Sequence, residues 1–310
     1  MTIVNLTDHP PGKLRNAWLP YDLEAEHVVF LPDASPGKAP LPTGTAVLTR
    51  QDNWRRFAVS DCGCGMRLLR SDREAGALTD DRWTEVARRL KDDKGGLGDL
   101  GGGNHFIDAL RSHASERLHI LIHTGSRKES GLVDDLVGQP AKFDKEFDRV
   151  VDWAARNREA VQETVESVLG VSFEVVLDPP HNTYERLMEG GAIIRKGSAK
   201  VTPGDRNIIP AHMRDDVALV RATDQVGDTL SSLSHGTGRA MPTSEAKELS
   251  PHFDFDALRE EVLIPDLISD RSLRGEAPYA YRDLAPCLEQ LDEYVEVVER
   301  FEVIGYIGHL

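Results

Sequence analysis

The chain has 310 residues, 40% hydrophobic and 29% charged, the make-up of an ordinary globular protein with room for one large or two small domains. Its 52 acidic against 37 basic residues leave a net charge of −15, which argues against generic polyanion binding and asks any nucleic-acid substrate to meet a locally basic surface. Three cysteines, Cys62, Cys64 and Cys287, form no disulfide framework and suit a reducing cytoplasm. No apolar run reaches bilayer length and the N-terminus lacks a signal-peptide pattern, so no membrane is expected.

Residues 1–20 read as irregular, with Pro10-Pro11-Gly12 as a breaker. Residues 27–31 read as a short strand ending at Pro32-Asp33, before a Pro- and Gly-rich loop over 34–43. Residues 44–50 and 54–60 read as two more strands around the turn Gln51-Asp52-Asn53. A helix is expected over 79–92, with Thr79 as cap, Asp80 and Asp81 at its positive end, and Trp83, Val86, Ala87 and Leu90 on one face. After a glycine-rich run over 95–103, the apolar stretch 118–122 reads as a strand. Residues 144–169 read as the longest helix, stopped by Gly170, and 172–177 as a buried strand. Short strands are expected over 192–200, 207–209 and 217–222. A helix should begin near Thr243, and another should open at Pro286 with Leu288, Leu291, Val295 and Val298 on one face. A last strand covers 301–307. Strands mix with helices without steady βα alternation, which favours a single α+β domain over a doubly wound sheet.

Asp61-Cys62-Gly63-Cys64-Gly65-Met66 stands at the expected end of strand 54–60. A carboxylate and a thiolate, Asp61 and Cys64, can project from such a turn toward one point, as a metal site requires. His105, His123 and His181 each stand where an apolar strand or glycine loop ends, and neutral imidazole is a common metal ligand. Each residue alone also reads as a turn aspartate, a buried thiol or a hydrogen-bonded histidine. Together they allow two metals bridged by Cys64, and thiolate with imidazole points first to zinc. His235, between Ser234 and Gly236 with Gly238 and Arg239 close behind, has room for a phosphate and can carry a covalent phosphoryl group. It also reads as a histidine in a glycine-rich turn. Residues 191–214 hold Arg195, Lys196, Lys200, Arg206 and Arg214 against Asp205, a backbone-contact patch or a solvated surface.

These segments resemble, in order, those of the RtcB family of RNA-splicing ligases. Residues 61–66 are similar to its Asp-x-Gly-Cys-Gly-Met loop, 101–106 to its Gly-Gly-Gly-Asn-His-Phe stretch, and 123–127 and His181-Asn182 to its next two metal segments. Arg195-Lys196-Gly197 is similar to an Arg-Lys-Gly element, and 234–239 with 245–247 to the segment of its nucleophilic histidine. The resemblance implies a single RtcB-like catalytic domain over 1–310, with mixed and antiparallel sheets surrounded by helices and the active site at strand ends and loops. It implies two manganese ions on Asp61, Cys64, His105, His123 and His181, with Cys64 shared. It implies GTP as co-substrate, guanylylated His235, and a nucleotide site of Asn104, His105, Asp108, Asn182, Pro210, Met213, His235, Gly236 and Gly238. Arg195, Lys196 and Arg239 would contact RNA or phosphate. The implied reaction joins RNA 3′-phosphate or 2′,3′-cyclic phosphate ends to 5′-hydroxyl ends, in tRNA splicing or RNA repair, with an archease-like activator as a possible partner.

The chain departs from the family at several points. It is shorter, residues 31–37 lack a histidine the family carries, and Cys62 replaces an aliphatic residue. Pro210-Ala211-His212-Met213 stands for Pro-Gly-Ser-Met, and the chain ends Gly308-His309-Leu310 instead of Lys-Gly. A histidine is a weaker donor than lysine near neutral pH, so selectivity for GTP over ATP is expected to be weaker than in the family. The alternatives are a metal-dependent phosphohydrolase or phosphodiesterase acting on RNA ends, which needs no His235, and a non-catalytic RNA-end binder.

Overall fold

The computed structural model describes residues 1–10, 12, 14, 18–37, 39–58, 60–92 and 95–310; Pro11 and Val59, in two of the expected segments, lie outside them. In chain order the strands and principal helices are β1 (Thr2–Asn5), β2 (Ala25–Ser35), β3 (Thr43–Thr49), β4 (Gly65–Glu74), α1 (Asp80–Asp92), β5 (Phe106–Ser112), β6 (Arg117–Thr124), α2 (Arg127–Asp134) and α3 (Pro140–Leu169). There follow β7 (Glu174–Leu177), β8 (Asn182–Arg186), β9 (Ala192–Lys196), β10 (Ser198–Lys200), β11 (Arg206–Pro210), β12 (Val217–Ala222) and β13 (Ser232–Ser234). The chain closes with α4 (Thr243–Leu249), α5 (Phe255–Glu261), α6 (Asp270–Leu273), α7 (Leu284–Gln290) and β14 (Val295–Gly308).

Seven strands pair in the order β11-β12-β14-β5-β6-β4-β7, all antiparallel. Five pair as β1-β2-β3-β9-β8, with only the β1–β2 pair parallel, and β10 pairs with β13. The class is α+β, as the sequence predicts. Two of the hydrophobic cores on these sheets share α3. Its first half gives Phe143, Phe147 and Val150 to the core of the five-stranded sheet. Its second half gives Val161, Val165 and Leu169 to the core of the seven-stranded sheet, where α1 packs Trp83, Val86, Ala87 and Leu90. Each such large apolar side chain contributes about 1.5–3 kcal/mol on burial. Between the halves sit Asn157 and Arg158, both 1% exposed. A polar waist of this kind is tolerable only if its hydrogen bonds are met, and they are met at the functional site.

Several expectations need correction. Residues 54–57 form a 3₁₀ turn, because Trp54 and Phe57 are three apart and bury on one side. The loop at 61–66 therefore opens β4 rather than ending a strand. Strand β2 runs on through Pro32 to Ser35, since Pro32 falls in a register irregularity between Phe30 and Ser35 where no ladder donor is needed. Strand β1 lies in the segment read as irregular, and β5 follows the glycine run unheralded. Strand β7 is an edge strand with Glu174 and Val175 exposed, not a buried one. Val295 and Val298 belong to β14, since α7 stops at Gln290.

Candidate metal and nucleotide site

The loop before β4 is held in a costly backbone shape. Ser60 and Asp61 both have left-handed φ, 78° and 52°, which non-glycine residues avoid unless neighbours impose it. Four bonds do so. Lys196 Nζ donates to Ser60 O at 2.5 Å, Asn182 Nδ2 and the Cys64 amide donate to Asp61 O at 2.9 and 3.1 Å, and the Ser126 amide donates to Asp61 Oδ1 at 3.1 Å. Gly63 is required next, because at φ 72° a Cβ would stand 2.7 Å from Val151 Cα on α3. Arg158 Nη1 donates to Gly63 O and Thr124 O, both at 3.2 Å, while its Nε meets Asp178. Asn157 accepts from the Gly98 amide at 2.8 Å and donates to Asp99 O at 2.9 Å. The waist of α3 thus grips the metal loop, the glycine loop and the end of β6 at once.

The expected ligands converge. Cys64 Sγ lies 3.5 Å from His105 Nε2 and 3.4 Å from His123 Nε2. His105 Nε2 is 3.3 Å from Asp61 Oδ2, and His123 Nε2 is 3.3 Å from His181 Nε2. Ligand atoms of Cys64, His105 and His123 lie within 4.8 Å of one another, a spacing that can hold a metal ion. Two nests share the thiol: Asp61, His105 and Cys64 on one side, Cys64, His123 and His181 on the other. The donor set fits divalent ions. Burial first, then neighbouring histidines, hold His123 and His181 well below the usual imidazole range, so both rings are neutral with a lone pair to give. His105 Nδ1 sits 3.0 Å from Leu100 O, which orients Nε2 inward. Cys62 turns away: its Sγ faces Ala58 O in the core of the five-stranded sheet, and burial pushes its thiol up to about 12.

His235 stands beside this cluster, its ring centroid 4.6 Å from that of His181 and 6.0 Å from that of His123. Its Nδ1 is 2.6 Å from Asp33 Oδ2, a fully buried carboxylate on β2. A carboxylate oxygen only accepts, so Nδ1–H is the donor in this contact. Gly238 permits it, since at φ 77° a Cβ there would stand 2.7 Å from Asp33 Cα. Asp33 is a site residue the sequence analysis passed over; it is 202 positions from its partner.

Three cavities meet at His235. A cleft of about 200 Å³ runs over Asp61, Cys64, His123, His181, Asn182 and Lys196. A second, about 70 Å³, lies between Met66, Phe106, Asp108, Pro210, Met213 and Tyr306, with Asn104, Gly236 and Gly238 also on its wall. The third, about 510 Å³, carries Arg239, Lys247 and Arg271 on its wall. Asp108 is 5% exposed, its Oδ1 has no hydrogen-bond partner, and burial pushes its carboxyl well above the usual range. Asn182 has both ends of its amide engaged, to Asp61 O and from the Gly197 amide, so it braces the loop. His309 lines the third cavity and not the Asp108 cavity, whereas His212 reaches the latter with Nε2 3.0 Å from Asp283.

The expected RNA contacts are placed differently. Arg195 is 2% exposed and spends its donors on Ser232 Oγ, Leu230 O and Glu185. Arg239 is tied to Met241 O, Gly275 O, Glu276 and the Tyr281 hydroxyl. Arg195 is consumed inside the protein, whereas Arg239, its side chain 21% exposed, lines the third cavity with these donors already taken. Lys200 pairs with Glu185 and Arg214 with Glu261, so the patch over 191–214 is largely neutralised. Of these cations Lys196 lines the metal cleft.

A sequence model described as tRNA-splicing ligase RtcB matches residues 141–308. The chain is similar to RNA-splicing ligase RtcB2 of Escherichia coli (strain ATCC 25922), 28% identical over 83% of this chain and 80% of that protein. It is 25% identical to RNA-splicing ligase RtcB1 of the same strain and 26% identical to RNA-splicing ligase RtcB of Escherichia coli (strain K12), each over 65% of this chain and 58% of the relative. The matched region carries His181 and His235, and the fold brings Asp61, Cys64, His105 and His123 to them from outside it: the chain belongs to the RtcB family of tRNA-splicing ligases.

Proposed function

We propose that the chain joins RNA ends through a guanylyl group carried on His235. The observation that carries this reading is the Asp33–His235 pair beside the Cys64 cluster. It presents an imidazole Nε2 as nucleophile at the edge of a site for two cations. The reading takes residues 1–310 as one catalytic domain, supported by the way two of the cores share α3.

Asp61, Cys64 and His105 would hold one manganese ion and Cys64, His123 and His181 the other; bound there, the pair neutralises charge on the transferring phosphoryl group. The small cavity takes the guanine between Phe106, Met213 and Tyr306, with the open Asp108 oxygen as its polar contact. This moves base recognition from the terminal histidine to Asp108. His235 Nε2 attacks the α-phosphorus of GTP, the bond to pyrophosphate breaks, and Asp33 keeps the Nδ1 proton in place throughout. An RNA 3′-phosphate oxygen then attacks the same phosphorus and breaks the P–N bond, which gives RNA capped by GMP through a diphosphate. A 5′-hydroxyl of the second RNA attacks the 3′ phosphorus, GMP leaves, and a phosphodiester remains. A 2′,3′-cyclic end is first opened by water to the 3′-phosphate. Lys196, buried at the cleft floor, answers part of the phosphate charge.

The test is joining of two oligoribonucleotides, one with a 3′-phosphate and one with a 5′-hydroxyl, with GTP and manganese. The expected result is a joined product that depends on both. Loss of the 3′-phosphate without joining would instead mark a phosphohydrolase, and binding without either would mark an end-binding protein. Among the described residues no helix is long and apolar enough to cross a membrane.

A further inference from the structure

The cavity of about 510 Å³ on the third side of His235 is unassigned by the chemistry above. Lys247 on α4 and Arg271 on α6 stand on its wall with exposed side chains. Neither side chain has a hydrogen-bond or ion-pair partner among the described residues. In a chain with 52 acids against 37 bases, most cations find a carboxylate, as Arg214 finds Glu261 and Arg259 finds Asp270. Two open cations at the mouth of the nucleophile's cavity are therefore a local inversion of the protein's overall charge. The acid on that wall, Glu276, is already met by Arg239 Nη1 at 3.2 Å and by the Tyr281 hydroxyl. Asp270, beside Arg271 in sequence, turns to Arg259 at 2.9 Å. Glu245 and Glu248 flank Lys247 on α4 but do not line the cavity.

We propose that this cavity holds the RNA backbone next to the reacting end, with Lys247 and Arg271 each meeting a phosphate. The inference rests on the ligase reading and names the binding site of its second substrate. Phosphate is the shared chemistry of RNA and of the GTP tail, and placement separates them. The reacting triphosphate must lie against His235 Nε2 and the Cys64 cleft, and the base fills the Asp108 cavity. Those two cavities account for the nucleotide, and the third opens on the same imidazole from another side. Arginine suits the forked contact to a phosphate and lysine the point contact.

The test compares the wild-type chain with the double variant Lys247→Gln, Arg271→Gln, both at exposed positions. One arm measures anisotropy of a labelled single-stranded RNA decamer ending in a 3′-phosphate, across a sodium chloride series. The other measures the GTP concentration for half-maximal guanylylation without RNA, by intact mass. RNA affinity should fall about tenfold at low salt, and the log–log salt slope should flatten by about 1.4, the value for two single-strand phosphates. The GTP half-point should stay put, and Arg271→Lys should keep most of the RNA affinity. A shifted GTP half-point with unchanged RNA binding would overturn the proposal in favour of the triphosphate tail. No shift in either arm would reduce the pair to a solvated rim. If the wild type forms no adduct yet loses RNA binding in the variant, the ligase reading fails and the phosphate site stands.

Discussion

The metal cleft and the Asp108 cavity share a wall at His235 and are built in opposite ways. In the cleft two donors and the loop are braced from behind: Asp61 by Ser126, His105 by Leu100 O, the loop itself by Asn182, Lys196 and Arg158. In the neighbouring cavity a buried carboxyl oxygen of Asp108 is left without a partner. A braced set of ligands is ready before its ion arrives and loses little entropy on binding. An open buried oxygen costs stability until a ligand meets it. The first region is made to hold something permanent, the second something that comes and goes.

The largest expected effect is on the braced side. Cys64→Ala removes the atom both nests share, so metal analysis should show loss at both positions, with no ligation left. Cys62→Ala, two residues away, should keep both ions and cost only about 1 kcal/mol of packing. Full metal content in Cys64→Ala would show that the nests do not share the thiol.

Next comes the waist of α3. Arg158→Leu strips the Gly63 and Thr124 carbonyls of their donor and leaves Asp178 to Arg67 alone. Breaking a buried pair of this kind costs about 3–5 kcal/mol. Thermal unfolding should shift down by several degrees, and metal affinity should fall with it. An unchanged midpoint would mean that the loops hold without the waist.

Asp33→Ala frees the His235 ring and its tautomer while leaving the cleft intact. Guanylylation should slow by about a hundredfold, with metal content unchanged. Equal rates would remove Asp33 from the mechanism.

The smallest effect tests the open side. Burial raises the Asp108 carboxyl, so ionising it costs more in the folded chain than in the unfolded one. The penalty is absent below the unfolded carboxyl value of about 3.9 and grows as pH rises toward the folded value. Asp108→Asn lacks it, so its unfolding midpoint should match the wild type near pH 4 and exceed it by a few degrees at pH 7. Its adduct yield at limiting GTP should drop about tenfold, and more than the yield with ATP, because an acceptor for the base is lost. A stability gain without change in nucleotide use would take Asp108 out of base recognition.

The sequence shows the chemistry better than its supports. Asp61, Cys64, His105, His123, His181 and His235 stand in short motifs, where glycine and strand ends mark a placed side chain. Asp33 sits in a run read as strand end and loop, and only the fold brings β2 and the residue after β13 together at the Asp33–His235 contact. Asn157 and Arg158 interrupt an apolar helical stripe, and their polarity was the available signal; nothing local says which loops they hold. Residues 54–57 mislead because Trp and Phe suit strands and 3₁₀ turns alike. Arg195 misleads because charge reads as surface until burial is known.

The central claim is that His235 carries the nucleotide. Incubation of the chain with GTP and manganese, followed by intact-mass measurement and peptide mapping, tests it most directly. The account predicts one added GMP on the peptide that holds His235, stable to base, labile to acid, and absent from His235→Ala. An adduct that persists in His235→Ala, or maps to another residue, would contradict it.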